Sequence, residues 1–502
     1  MERHRVAFEP WSPHAGLVIA IPVSVAVGIL AVKAPFTAFA LAFLPALLLM
    51  ATRSSTIWVA SALIVAIAGR GLVGLELVPG FVQYVHLPLA WGALCIALVR
   101  RDSQSPLARR AAIWLLLLAL AVMGSALLND SEPLRGPVYF AVLGEPFAIV
   151  CALLIEPPNR RERTVLTGIC VALIAVQIPL AYLQAATRGI GDTVQGTLYG
   201  SGVGAHAVGA LVIVGAFWYL GRTSRVLSPT SVFALSAMAG VLLVSDAKQV
   251  AFALPAALLG HRFLSARALA IGVIALTVIY IIVHFAPANS RYAVPYIGRA
   301  LSGNTGKIAA ADLIWEDAKS DIPTFLFGQG PAETVSRTAY QTVESTEEEG
   351  SPLQGLGLRP AQTAIEAEDA AAAEVRATGK SAYLEPFNLA SFDSGTSSGV
   401  GVFGDVGIVG FMTYTGLFMT IFLTVRRRRS PEALAAASGF AMLIVLGFIH
   451  DWLEVPAFTL LLGALAGLAL TDPGPETTVS TRTVNRPAPQ RGTAANAIRG
   501  TA

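Results

Sequence analysis

Charged side chains are scarce in this chain of 502 residues. Asp, Glu, Lys and Arg make up 13 % of it, against roughly 25 % in a soluble globular protein. That shortage excludes an ordinary water-soluble fold. Cysteine is nearly absent too: Cys95, Cys151 and Cys170 are the only three, all inside apolar runs, so no disulfide framework holds the chain together. No short segments of alternating apolar and polar residues recur, which excludes a membrane β-barrel. No histidine occurs between Pro287 and Gly399, and no Cys or His spacing anywhere suits a metal ion. No bound cofactor is therefore expected, and nothing points to nucleic acid.

What remains is apolar sequence. Hydrophobic residues make up 54 % of the chain, and mean hydropathy is +0.64. Apolar windows lie at about 15–33, 36–51, 56–75, 81–99, 111–128, 138–155, 164–186, 204–221, 230–245, 248–260, 268–286, 400–425, 433–449 and 452–471. Most approach the roughly 20 residues a spanning helix needs. The expectation is an all-α polytopic membrane protein with about 12–14 transmembrane helices. The count is least settled at 230–260. One helix there would be about 46 Å long at 1.5 Å per residue, so a hairpin or re-entrant pair turning near Ser245–Lys248 is expected instead.

Lys and Arg accumulate in the cytoplasmic loops of membrane proteins. Arg100, Arg101, Arg109 and Arg110; Arg160, Arg161 and Arg163; Arg222 and Arg225; Arg262 and Arg267; and Arg426 to Arg429 all fall on one side if both termini are cytoplasmic. An uncleaved first helix fits the N-terminus. The chain then divides into a transmembrane bundle over 1–286, an extracytoplasmic loop over 287–399, further spans over 400–471, and a polar tail over 472–502, expected to be disordered.

The loop of 113 residues carries 15 acidic and 8 basic side chains, too many to lie in hydrocarbon. Short helices are expected in it, beginning with Ile308, Leu313, Ile314 and Trp315. A turn follows at Phe327-Gly328-Gln329-Gly330-Pro331. Its acidic, Ala-rich middle, about 342–379, is expected to be disordered.

Several polar residues sit near the outer ends of the apolar runs. Lys248, in Ser245-Asp246-Ala247-Lys248, is either a functional cation near membrane depth or a wetted hairpin tip. His206 either faces the same vestibule or packs as an interface anchor. Arg291, Arg299 and Lys307 recur every eight residues, near one helical face. They suit a diphosphate group through charge and forked donors, or anionic lipid. Asp405 lies in Gly404-Asp405-Val406-Gly407-Ile408-Val409-Gly410, where small residues also favour close helix packing. No strand precedes that glycine run and no Lys follows it, so it is not a nucleotide loop.

In this order the features resemble the O-antigen ligase and polymerase superfamily, membrane glycosyltransferases of bacterial surface-polysaccharide assembly. The likeness spans roughly 196–410. It rests on Gly196-Thr197-Leu198-Tyr199-Gly200, then Ser245-Asp246-Ala247-Lys248, then Arg299 and Lys307 ahead of Leu313-Ile314-Trp315. Phe327-Gly328-Gln329-Gly330 and Asp405-Val406-Gly407-Ile408-Val409-Gly410 complete it. The resemblance implies an inverting, metal-independent transfer at the outer face of the bacterial plasma membrane. A glycan on polyprenyl diphosphate would be the donor, and membrane lipid and other polysaccharide-assembly proteins the surroundings. It implies diphosphate binding by Lys248, Arg291, Arg299 and Lys307, with Asp405 as a base or a structural acid. Ligases of this family tend to carry a loop histidine, and its absence here favours polymerisation over ligation. Two readings of another class stay open: a transporter of lipid-linked glycan, and a non-catalytic assembly protein.

Overall fold

The computed structural model describes residues 54–100, 105–198, 204–223, 228–260, 302–303, 305–347, 358–377 and 394–472. Every element among them is helical, and no strand occurs. Each apolar window within these residues is a helix. The windows at 15–33, 36–51 and 268–286 lie outside the described residues, as do Arg291 and Arg299.

Among the described residues eight helices are long and apolar enough to cross a membrane: α1 (Ser55–Gly74), α2 (Gly80–Arg100), α3 (Pro106–Leu128), α4 (Arg135–Ile155), α5 (Arg160–Arg188), α6 (Gly204–Arg222), and two further on. Two shorter apolar helices follow α6: α7 (Pro229–Val244) and α8 (Lys248–Leu259). The loop supplies α9 (Gly306–Ser320), α10 (Ile322–Phe327), α11 (Arg337–Glu347) and α12 (Gln362–Ala377). The last spans are α13 (Ser398–Val425), α14 (Pro431–Ile449) and the shorter α15 (Pro456–Leu470). This is an all-α, multi-pass membrane protein.

Contacts between helix ends sort the loops onto two faces. Arg100 pairs with Glu156 at 3.3 Å, and Arg163 donates to Thr471 Oγ1 at 3.0 Å. A side chain at Gly221 would meet Pro431. The arginine-rich loops after α2, α4, α6 and α13 thus share one face, as the positive-inside pattern requires. The opposite face, called here the loop face, carries the turn after α3, the residues before α6, the break between α7 and α8, and α9 to α12. The hairpin expected near 245 is present. Asp246 takes a left-handed φ of 51° there, and α8 starts back down with Gln249 accepting a 2.7 Å hydrogen bond from Trp452 Nε1.

The acidic middle of the loop departs from expectation. Residues 362–377 form α12, where disorder was expected. Its Ala364, Ala367, Ala371, Ala372 and Val375 are buried, and these recur at the three- and four-residue spacing of one helical face. Composition hides that stripe, because alanine scores as weakly apolar while its small size permits close packing against α9. Glu366, Asp369 and Glu374 occupy the rest of the helix.

α13 is broken. Gly407 has φ 64° and ψ −170°, far from helical values, and a Cβ there would collide with the Leu326–Phe327 peptide of α10. The break lets the carbonyls of Gly404 and Asp405 accept from Gln329 N at 2.8 Å and Gly330 N at 3.2 Å. Two motifs about 75 residues apart in sequence therefore meet backbone to backbone. Glycine is required because only it tolerates both the positive φ and the close approach.

Candidate active site

On the loop face a narrow cleft with about 50 Å³ of space lies among α1, α2, α4, α11 and the turn before α15. Its polar walls are Arg70, His86, Glu145, Arg337, Gln341 and Glu454. Arg70 follows a five-residue π-helical stretch, Val65–Gly69, in α1. Such wide turns displace helix geometry and recur at functional sites. Thr197 braces this one, donating its hydroxyl to the Ile67 carbonyl at 2.8 Å. Gln177 in turn accepts from Thr197 N at 3.0 Å and donates to its hydroxyl at 2.8 Å. The Gly196-Thr197-Leu198 segment is thus a wedge that shapes the cleft wall.

Glu145 lies at the cleft floor. It is ten residues into α4, about 15 Å along the axis at 1.5 Å per residue, so near the middle of a ~30 Å hydrocarbon core. Its Oε2 lies 2.8 Å from His86 Nδ1, and both side chains are buried. Glu145 Oε1 is buried with no hydrogen-bond partner. Pro146, the next residue, has no N–H to offer the Val142 carbonyl, and Val142 also lines the cleft.

Above this floor, carboxylates fix the start of α11. Glu454 accepts from Arg337 N at 3.2 Å, Thr338 N at 2.8 Å and the Thr338 hydroxyl at 2.6 Å. It serves as a cap supplied from another part of the chain, since the first amides of a helix lack internal partners. Arg337 also pairs with Asp451 at 2.9 Å. Burial raises Glu454 to about 7, with the negative charges of Asp451 and Asp405 adding to it. Burial likewise keeps His450 neutral down to about 4, and its Nδ1 lies 2.6 Å from the Thr396 hydroxyl.

Of the residues singled out from sequence, Asp405, Lys307 and His206 are described with their side chains, and these three do not line the cleft. Asp405 is fully buried at the α13 break, where its Oδ1 accepts from Glu333 N at 3.0 Å, Thr334 N at 2.7 Å and the Thr334 hydroxyl at 2.8 Å. That geometry fastens the loop. Lys307 donates to the carbonyls of Thr396 at 2.7 Å and Ser394 at 3.2 Å. His206 is buried in the first turns of α6, and it, Lys307 and Arg337 all lie within electrostatic reach of His450. Lys248 opens α8 directly after the hairpin break. Arg291 and Arg299 lie outside the described residues. The structure thus gathers Lys307 and His206 around His450, and holds Asp405 at the α13 break within electrostatic reach of Glu454.

Sequence reading passed over Arg70, His86, Glu145 and Glu454. A signal existed for all four: each is an ionisable residue inside an apolar window, which membrane energetics mark as a functional candidate. Among the described residues no group of three or more His, Cys, Asp or Glu is placed to hold a metal ion. The chain matches no protein-family model and no curated protein.

Proposed function

We propose that this protein is a membrane glycosyltransferase of the polymerase type, joining glycan units carried on polyprenyl diphosphate at the outer face of a bacterial plasma membrane. The carrying observation is the cleft on the loop face, whose lining holds Arg70 and Arg337 together with a buried acid–imidazole pair. Guanidinium groups suit a leaving diphosphate, whose negative charge grows as the glycosidic bond breaks. Opening away from the arginine-rich loops puts the cleft where exported lipid-linked glycan would be met. The motif order resembling the O-antigen ligase and polymerase superfamily supports the same reading, and ligation onto another acceptor is its nearest variant. Lys248, Arg291, Arg299 and Lys307 remain candidates for holding the donor.

The test uses purified full-length protein in detergent, given lipid-linked glycan extracted from cells lacking the gene. Longer glycan on the lipid is the expected product, with Arg70→Gln reducing it at least tenfold. No change in glycan length would overturn the reading.

One observation favours a second class. Transporters place ionisable residues at mid-membrane depth, and Glu145 with His86 lies near that depth. Movement of lipid-linked glycan across protein-containing vesicles, without a change in its length, would establish transport instead.

A further inference from the structure

The Glu145–His86 pair is the least expected feature of the bundle. A carboxylate near the centre of a spanning helix is costly to bury, and ordinary packing would satisfy both of its oxygens or replace them with carbon. Here one oxygen faces His86 at 2.8 Å and the other, also buried, has no partner. Glu145 is 1 % exposed at its side chain, yet it contributes to the cleft wall. In the tautomer that donates from His86 Nδ1 to Glu145 Oε2, Nε2 is left as a lone-pair nitrogen. A carboxylate orienting an imidazole whose second nitrogen is unprotonated is an arrangement for taking a proton from a hydroxyl.

We infer that His86 is the general base of this cleft, that Glu145 is its positioning residue, and that their substrate is the hydroxyl of the acceptor sugar. The inference rests on the glycosyl-transfer reading above and names residues for a step that reading leaves unassigned. The acceptor oxygen forms a bond to the anomeric carbon while the bond from that carbon to the diphosphate oxygen breaks. The bonding pair leaves on the diphosphate, beside Arg70 and Arg337. The hydroxyl proton goes to His86 Nε2, and Glu145 stabilises the imidazolium through Nδ1.

The experiment is steady-state kinetics of the full-length protein in lipid nanodiscs, with lipid-linked glycan from cells lacking the gene as donor and acceptor. Monodispersity and melting temperature are recorded for every variant. His86→Ala and Glu145→Gln are expected to lower kcat by about 10²–10⁴-fold, the usual contribution of a general base, with KM for lipid-linked glycan unchanged. Added imidazole is expected to restore part of the rate to His86→Ala and none to Glu145→Gln, a response that a purely structural role does not produce. Glu145→Asp, which keeps the charge, covers the case in which Glu145→Gln fails to fold, and is expected to retain more activity than His86→Ala. Wild-type kcat in folded His86→Ala or Glu145→Gln, or a loss confined to KM, overturns the assignment while leaving glycosyl transfer in place. Absence of product from the wild-type protein removes both.

Discussion

Thr334 gives both its backbone N–H and its hydroxyl to Asp405 Oδ1, at 2.7 and 2.8 Å. The bond spans the gap between the outer loop and the broken helix α13. Glu333 N completes the clamp at 3.0 Å. A carboxylate with three donors on one oxygen, buried at the end of a helical segment, behaves as a fastener for the loop. Asp405→Ala is therefore predicted to cost about 3–5 kcal/mol, the range for breaking a buried charged network by removing one partner. Thr334→Val, which leaves the two amide bonds intact, should cost nearer 1–2 kcal/mol. Thermal unfolding in detergent measures both. A catalytic base would give the opposite pattern, with Asp405→Ala inactive but as stable as the wild type.

Arg135 fastens the same loop from the α4 side. Its side chain is buried, yet it pairs with Glu132 at 2.7 Å and Glu333 at 2.6 Å. It also donates to the carbonyls of Ala332 at 3.0 Å and Arg359 at 2.6 Å. Arg135→Met would remove the charge while keeping much of the apolar stem, and leaves Glu333 facing the interior alone. We predict faster cleavage of the 328–360 segment by added protease, with secondary structure of the spans unchanged by circular dichroism. Protease resistance equal to wild type would mean the guanidinium is dispensable for holding the loop.

Glu368 in α12 provides a pH test. Burial raises it from 4.5 to about 7, although Lys307 nearby and the Gly395 amide pull it down. Because its folded value exceeds its unfolded one, the folded state holds the proton longer as pH rises. Stability contributed by this group is therefore present below about 4.5, falls between 4.5 and 7, and is level above 7. Glu368→Gln is expected to flatten the fall of melting temperature between pH 5 and 7. His450 acts in the opposite sense, since burial lowers it to about 4, so its contribution grows as pH rises toward 6.5. The Gln variant isolates the carboxyl from this histidine.

Topology can be read chemically. Ser320 ends α9 on the loop face, and Ser430 begins α14 on the arginine face. With Cys95, Cys151 and Cys170 replaced by alanine, a cysteine at position 320 is predicted to react with a membrane-impermeant maleimide on intact cells. One at position 430 should react only after the membrane is opened. The reverse pattern would invert the orientation and place the cleft toward the cytoplasm.

Local chemistry alone determined much of this protein. Spanning helices follow from apolar length, and the shared face of the arginine loops follows from the cost of moving guanidinium groups across hydrocarbon. The turn at Ser245–Lys248 follows from a run too long for one crossing. Folding decided the rest, because it rests on partners far apart in the chain. The Gly407 break makes sense only once α10 lies against α13, and Asp405 becomes a clamp only when Thr334 reaches it. Lys307 and Asp405, singled out by charge and position, hold carbonyls and amides that come from distant parts of the chain, and only packing sets such partners beside a side chain. Glu145 and His86 lie 59 positions apart; each sits in a separate apolar run, and their pairing at one cleft exists only in three dimensions.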